Sequence, residues 1–290
     1  MNQIGIIGFG ALGSSLAEAL NDNDQLSWIM IRDVKKHDDA RYLKVPIYVE
    51  LSEIEQRNVS IILAIPDKEI HGMAQAIHQL FQGEYDYTLI HCSGALTKHV
   101  LDCEDNKSSS IAMHPFQSVK TSKDLPGTPW GIECEMQKRQ MMSELIDALK
   151  GQAFFLDEKT IELKSLYHAT AVISANFLTM LTALSAELAQ QANIPPELFL
   201  PRIQSTVLQR AHEALSNQQS ILSGLTGPLI RMDEATILAN RKAICSIPGM
   251  DELYCAMSKA GIQLLIKEKL LTMQQGMRLI EVLHEMPSDE

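Results

Sequence analysis

The stretch IGIIGFGALG, residues 4–13, decides the fold of this chain. Ile4 to Ile7 form an apolar run, as expected of a strand that is buried on both faces of a sheet. In the G-x-G-x-x-G pattern that follows, the first glycine permits a tight turn and the second lets a pyrophosphate approach the backbone. The third glycine allows the next helix, Ala11 to Leu20, to pack on the strand and present its free N–H groups. The pattern predicts a dinucleotide-binding turn; a purely structural turn is the alternative. Its residues are Gly8, Phe9, Gly10, Ala11, Leu12 and Gly13.

The first half of the chain alternates short apolar runs with helical patterns, which is typical of βαβ units in a parallel sheet. The further predicted strands are Leu26 to Ile31, Val59 to Ile65, Tyr87 to His91, Ser110 to Met113 and Ala153 to Leu156. After about residue 157 the pattern becomes helical. The predicted helices are Lys159 to Ala192, Pro196 to Leu215, Ala235 to Ala243 and Met250 to His284. The sequence therefore predicts an α/β protein with a doubly wound Rossmann-type domain over 1–157 and an all-α domain over 158–290.

The end of the second strand bears on which nucleotide is bound. An NAD site usually has a carboxylate here for the ribose hydroxyls. If the strand ends at Ile31, Arg32 faces a 2′-phosphate, which suits a planar guanidinium, and Lys35 and Lys36 add positive potential. If the strand runs two residues further, Asp33 takes the ribose and NAD is bound. We expect NADP.

Composition excludes several other classes of protein. The net charge of −11 argues against a nucleic-acid partner, because affinity for phosphate backbones depends on Lys and Arg. The five cysteines are scattered without a C-x-x-C pair, which predicts reduced thiols and no metal site. No apolar run approaches the roughly 18 to 20 residues that cross a bilayer, and no secretory signal is recognisable. We expect a cytoplasmic protein without a membrane partner.

With these residues placed, the chain resembles Rossmann-like proteins whose C-terminal half is the domain of unknown function 2520. These are distant relatives of pyrroline-5-carboxylate reductase, ketopantoate reductase and the 6-phosphogluconate dehydrogenase superfamily. The matching segments are GIIGFGALG (5–13), IILAIPDKEI (61–70), IHCSGAL (90–96), MHPFQS (113–118), YHATAVISANFLTML (167–181) and LTGPLIRMD (225–233). The resemblance implies the fold and a nucleotide cofactor, but no substrate. It also implies that Ala64, Ile65 and Pro66 place backbone against the nicotinamide side of the cofactor.

Two residues follow other strands at the carboxyl edge of the sheet, where open α/β sheets bind ligands. Ser93 is predicted either to hydrogen-bond the nicotinamide or substrate, or to serve as an ordinary turn serine. His114 is predicted either to line the cleft or to be a structural, hydrogen-bonded histidine. His91, inside the strand before Ser93, is interpreted as a buried histidine with satisfied hydrogen bonds.

The helix after residue 159 is the best candidate for the catalytic element. In hydroxyacid dehydrogenase relatives it presents a Lys and an Asn one turn apart, beside the carbon that exchanges hydride. This chain has Lys164 and His168 one turn apart, and Asn176 about 12 Å further along the axis. Val172 occupies the place where His168 would need a polar partner, which departs from the dehydrogenase pattern. His168 is predicted as acid or base, and Lys164 and Asn176 as further candidates for the catalytic site. The alternative is that His168 and Asn176 bond neighbouring helices.

The segment 226–233 is the last cluster. Thr226-Gly227-Pro228 and Arg231 could bring backbone amides and a cation to an anionic substrate, although a surface pair of Arg231 with Asp233 or Glu234 explains the arginine equally well. Met232 stands where the family usually has glycine. We expect an NADP-dependent oxidoreductase acting on a small polar, anionic substrate, and a homodimer formed through the apolar helices. A dinucleotide-sensing protein without turnover is the alternative, and a helical scaffold would leave the glycine turn unexplained.

Overall fold

A computed structural model describes residues 3–56, 59–81, 87–103 and 108–285. The chain forms two compact units, Met1–Leu181 and Thr182–Glu290. The predicted domain boundary near residue 157 falls where the last strand gives way to helices, because β8 ends at Phe155 and the next helix begins at Glu158. The first part of the helical region thus belongs to the same compact unit as the sheet.

The first unit is built on an eight-stranded sheet of order β3-β2-β1-β4-β5-β6-β7-β8. All neighbouring strands are parallel except β6 and β7, so the predicted Rossmann-type α/β fold is confirmed. The strands are β1 (Ile4–Ile7), β2 (Leu26–Met30), β3 (Ile47–Tyr48), β4 (Ser60–Leu63), β5 (Thr88–His91), β6 (Ser109–Pro115), β7 (Pro129–Glu133) and β8 (Gln152–Phe155). β3 and β7 were not predicted, since β3 has two residues and β7 contains Pro129 and Gly131, which weaken a strand pattern.

Side chains of the central strands pack into two hydrophobic cores, one on each face of the sheet. Ile4 and Ile6 of β1 pack in one core, while Ile7 packs in the other with Trp28. The helices of this unit are α1 (Ala11–Asn21), α2 (His37–Ala40), α3 (Asp67–Phe81), α4 (Arg139–Ala148), α5 (Glu158–Glu162) and α6 (Lys164–Ala171). A π-helical turn, Val172–Phe177, joins α6 to α7 (Leu178–Gln191). The single helix predicted from Lys159 is therefore divided at Leu163 and widened at 172–177.

The helix from Lys164 to Gln191 is long and apolar enough, by length and composition, to cross a membrane. Its most apolar 18-residue window has a mean hydropathy of 1.5, and none of that window is buried. This corrects the expectation that no segment approaches such a length. That expectation counted unbroken apolar runs, whereas the window tolerates the interspersed Ser, Thr and Asn. The same pattern is typical of helices that cover one another in a bundle or between subunits.

The second unit is helical, as predicted. It contains α8 (Pro196–Ser216), α9 (Glu234–Ile244), α10 (Met250–Lys267) and α11 (Met273–Val282), besides the end of α7. The prediction of one helix from Met250 to His284 was wrong. α10 ends at Lys267, and Thr272 caps α11 by accepting the Gln275 N–H, an N-cap that the periodicity obscured. The core of this unit includes Ile237, Ile262, Leu265, Leu279 and Val282.

Candidate functional site

The three glycines of the turn after β1 have distinct geometric roles. Gly8 has φ +105°, and a methyl group there would lie 2.3 Å from the Ala64 carbonyl oxygen. A methyl group at Gly13 would lie 2.3 Å from the Gly8 carbonyl oxygen, so α1 can approach β1 only without a side chain. Gly10 instead has no atom within 4 Å of the place where a Cβ would stand. The turn therefore needs Gly8 and Gly13 for its own packing, and it leaves open space beside Gly10.

A cleft of about 280 Å³ lies beside this turn, at the carboxyl ends of β1, β2 and β4. The sheet order reverses between β1 and β4, which is where open α/β sheets bind ligands. Seven of the predicted cofactor-binding residues line the cleft, namely Gly8, Phe9, Gly10, Arg32, Ala64, Ile65 and Pro66. An adjoining cleft of about 420 Å³ shares Phe9 and Gly10 and adds Ala11. A dinucleotide fits this arrangement, because Gly10 presents bare backbone at the N-terminus of α1.

Arg32 stands at the end of this cleft, directly after β2. β2 ends at Met30, and the Ile31 N–H still bonds to the Tyr48 carbonyl, but the ladder does not continue to Asp33. The Asp33 carboxylate accepts the Lys35 N–H at 3.1 Å, whereas Arg32 is mostly exposed and pairs with Glu69 of α3. Arg32 and Asp33 both line the cleft, so a guanidinium and a carboxylate follow the strand at this edge.

Ser93 is held within the turn that follows β5. Its hydroxyl donates to Asp67 Oδ2 at 2.7 Å and accepts the N–H groups of Ala95 and Leu96, each at 3.2 Å. His91 is fully buried and bonds to Thr97 O and the Ser93 N–H, so its predicted structural role is confirmed. These contacts match the turn-serine interpretation of Ser93 and fix the backbone that leads to Gly94.

Gly94 brings two histidines together at the ends of β5 and β6. A methyl group at Gly94 would lie 2.6 Å from His168 Nδ1 and 2.7 Å from His114 Nε2. The ring centroids of the two histidines are 5.8 Å apart. The ring centroid of Tyr167 lies 5.8 Å from that of His114 and 5.5 Å from that of Phe116. We call His114, Tyr167 and His168 the imidazole–phenol cluster. His114 Nδ1, His168 Nδ1 and the Tyr167 hydroxyl are buried and have no hydrogen-bond partner within the described residues.

Lys164 forms a buried ion pair beside this cluster. Its ammonium group donates to Glu133 Oε2 at 2.8 Å and to the Leu96 carbonyl, and Glu133 also accepts the Lys98 N–H at 3.1 Å. Both side chains of the pair are almost fully buried. Lys164 therefore joins α6 to β7 and to the loop after Gly94, and all its charge is paired.

Burial shifts the pKa values of this region. Burial first, and then the charges on His168 and Lys164, lower the pKa of His114 to about 4. Burial also lowers the pKa of Lys164, against the opposing effect of Glu133. Burial and the Glu133 charge raise the pKa of Tyr167 to about 12. The cluster thus presents a neutral His114 and a neutral phenol near neutral pH.

Asn176 and the segment 226–233 are the remaining predicted site features. Asn176 is exposed in the π-helical turn that follows α6. Arg231 is exposed, and its guanidinium nitrogen lies 3.9 Å from Asp233 Oδ2, as expected of a surface ion pair. Gly227 has φ +123°, and Met232 adopts the left-handed φ of +56°. Sequence reasoning missed Tyr167 and Glu133. Tyr167 opens the quoted YHATAV segment, whereas Glu133 ends the unpredicted strand β7.

Family comparisons agree with this architecture. Residues 1–115 match the model of a Rossmann-like domain, and residues 128–261 match that of a domain of unknown function, DUF2520. The predicted resemblance is therefore confirmed. No curated protein sequence matches the chain.

Solved structures share the fold over nearly the whole chain. A putative NADP oxidoreductase from Bacteroides fragilis has 22% identity and a TM-score of 0.73, covering 89% of this chain and 97% of that one. A pyrroline-5-carboxylate reductase from Coxiella burnetii has 15% identity and a TM-score of 0.57, with coverages of 97% and 98%. A reductive aminase from Aspergillus terreus in complex with NADPH and ethyl levulinate has 12% identity and a TM-score of 0.55, with coverages of 98% and 92%. At these identities the likeness concerns the fold.

Proposed function

Because the chain joins a Rossmann-like domain to a DUF2520 domain, we propose that it is an NADP-dependent oxidoreductase acting on a small polar, anionic substrate. The observation that carries this proposal is the cleft at the reversal of strand order, which is lined by the glycine turn, Arg32 and the segment 64–66. The solved structures of similar fold that are described as an NADP oxidoreductase or as NADPH complexes agree with it.

The residues of the chain have separate roles in this proposal. The glycine turn and the N-terminus of α1 would hold the pyrophosphate, and Arg32 would hold the 2′-phosphate. Ala64, Ile65 and Pro66 would lie along the nicotinamide side. When bound, the nicotinamide would supply or accept the hydride. His168 would donate or accept the proton, with His114 and Gly94 shaping the space around it, and Lys164 would position α6 through Glu133.

Nucleotide titrations test the cofactor assignment. We expect NADPH to bind more tightly than NADH when binding is followed by fluorescence. Arg32→Ala should weaken NADPH binding by about 10- to 100-fold, because a charge-assisted hydrogen bond contributes about 1.5–3 kcal/mol. NADH binding should change by less than about twofold, since NADH lacks the 2′-phosphate. Arg210→Ala, which removes an exposed arginine of α8, is the matched control.

Two results would contradict these assignments. Absence of NADPH binding at near-millimolar concentration would refute the nucleotide site. An equal loss of NADPH and NADH affinity in Arg32→Ala would refute the 2′-phosphate role.

A dinucleotide sensor without turnover is the second candidate function. Val172 stands one turn after His168, where the dehydrogenase pattern requires a polar partner. Oxidation of NADPH with a panel of small oxo acids, imines and aldehydes separates the two functions. An enzyme should turn over at least one compound, and His168→Ala should then lower turnover far more than NADPH affinity. A sensor should bind NADPH tightly and turn over none of them.

We further propose a cytoplasmic homodimer that forms through the helical part of the chain, without a nucleic-acid or membrane partner. Large apolar side chains on the 164–191 helix support this assembly, since Leu166, Ile173 and Met180 are 63%, 60% and 58% exposed. Apolar patches of this kind usually mark contact surfaces. The net charge of −11 disfavours anionic polymers and anionic membrane surfaces.

A further inference from the structure

Tyr167 occupies a position that the proposed function has not yet used. Its ring packs against His114 and Phe116, and its side chain is half-buried. Its hydroxyl is inaccessible to solvent and has no hydrogen-bond partner in the described part of the chain. A buried hydroxyl without a partner costs free energy, so native proteins rarely keep one unless it has another use.

Several polar groups beside the cluster are fully paired. Lys164 and Glu133 pair with each other and with backbone groups, and the Ser93 hydroxyl has three partners. The described chain has five buried side-chain atoms without a partner, two of them on Trp130 and Arg139 and three in the imidazole–phenol cluster. The three unpaired atoms of the cluster belong to His114, Tyr167 and His168, which lie at the carboxyl edge of β5 and β6.

The phenol is also in the right protonation state to act as a donor. Burial and the Glu133 carboxylate raise its pKa to about 12, so the proton stays on the oxygen at neutral pH. Burial keeps His114 neutral, with a pKa near 4. A neutral donor in a water-poor site favours a neutral acceptor on which negative charge develops during the reaction.

We infer that the Tyr167 hydroxyl donates a hydrogen bond to the reacting heteroatom of the substrate, which is a carbonyl oxygen or an imine nitrogen. Tyr167 is thereby a catalytic residue that orients and polarises the double bond, while His168 exchanges the proton. This inference rests on the proposed function. It narrows the substrate to compounds whose reacting group is an uncharged hydrogen-bond acceptor.

Thermal unfolding of Tyr167→Phe tests the inference against a matched variant, Tyr87→Phe. The Tyr87 hydroxyl is buried and bonds to His78 Nδ1 at 2.6 Å. Tyr87→Phe should therefore lower the melting temperature by roughly 2–4 °C. Tyr167→Phe should leave the melting temperature unchanged or raise it, because it removes a hydroxyl that has no partner. A loss similar to that of Tyr87→Phe would overturn the inference.

Ligand-induced shifts in melting temperature give the second readout. With saturating NADPH, wild type should be stabilised further by at least one ketone, aldehyde or imine of a panel, and Tyr167→Phe should lose that shift while keeping NADPH affinity within about twofold. With the stabilising compound as substrate, kcat should fall by about 100- to 1000-fold, the usual cost of removing such a donor. Unchanged kcat, or no shift with any compound, would overturn the inference. Failure of wild type to bind NADPH would instead refute the proposed function.

Discussion

His91 and His114 are two buried imidazoles whose protonation is coupled to folding. Burial is the largest cause that lowers the pKa of each to about 4, from an ordinary value of 6.5. Between these values both rings are neutral in the folded protein, whereas the unfolded chain binds protons. The free energy of unfolding should therefore fall as the pH falls through this window, by up to about 1.4 kcal/mol per pH unit for each histidine.

Urea unfolding measured at about pH 7 and about pH 5 checks this expectation. Wild type should be less stable at the lower pH. His114→Gln should reduce the difference, while His212→Gln, at an exposed position on α8, should leave it unchanged. A wild-type stability that is equal at the two pH values would show that neither ring is held neutral.

Individual site residues were predicted with uneven success, for a physical reason. A local pattern is enough to predict that the glycine turn and Arg32 lie at one edge of the sheet, because each directly follows a strand. The contact of His114 with His168 joins residues 54 positions apart, and the pair of Lys164 with Glu133 spans 31 positions. Such contacts depend on strand order, which periodicity does not reveal. For this reason Tyr167 and Glu133 were not predicted as site residues.

In the turn between β1 and α1, different glycines serve the packing of the fold and the binding of the nucleotide, so substitutions can separate the two effects. Gly10→Ala should fold normally, because Gly10 has φ −80° and open space around its Cα. It should nevertheless lose most NADPH affinity, since the methyl group would enter the path of the pyrophosphate. Gly13→Ala should destabilise the fold itself through contact with the Gly8 carbonyl.

Melting curves and NADPH titrations of the two variants distinguish these effects. A Gly10→Ala protein that binds NADPH like wild type would argue that the dinucleotide does not cross this turn.

Among the secondary-structure elements, the long strands and most helices were predictable from the sequence, but β3, β7 and the break between α10 and α11 were not. β3 is a two-residue edge strand, β7 is an inner strand interrupted by Pro129 and Gly131, and a cap depends on one or two side chains, so each leaves a weak periodic signal.

The apolar helix 164–191 leads to a prediction for the whole molecule. Wild type should sediment as a dimer, because that helix exposes large apolar side chains. Met180→Glu should shift the equilibrium toward monomer, since a carboxylate cannot be buried without a partner. Glu187→Gln, on the same helix, is a control for charge changes alone. A monomeric wild type, or one recovered with membranes, would contradict the proposed assembly.

Met232 lies at a position of the 226–233 segment where the backbone itself restricts the residue type. Its left-handed backbone is the conformation that glycine adopts freely and that other residues adopt at a cost of about 1–2 kcal/mol. Glycine, however, gives the unfolded chain more conformational entropy, which costs about 0.5–1 kcal/mol on folding. The first cost is the larger of the two, so the backbone at this position favours glycine over methionine. Packing of the Met232 side chain against the core of the second unit opposes this backbone cost.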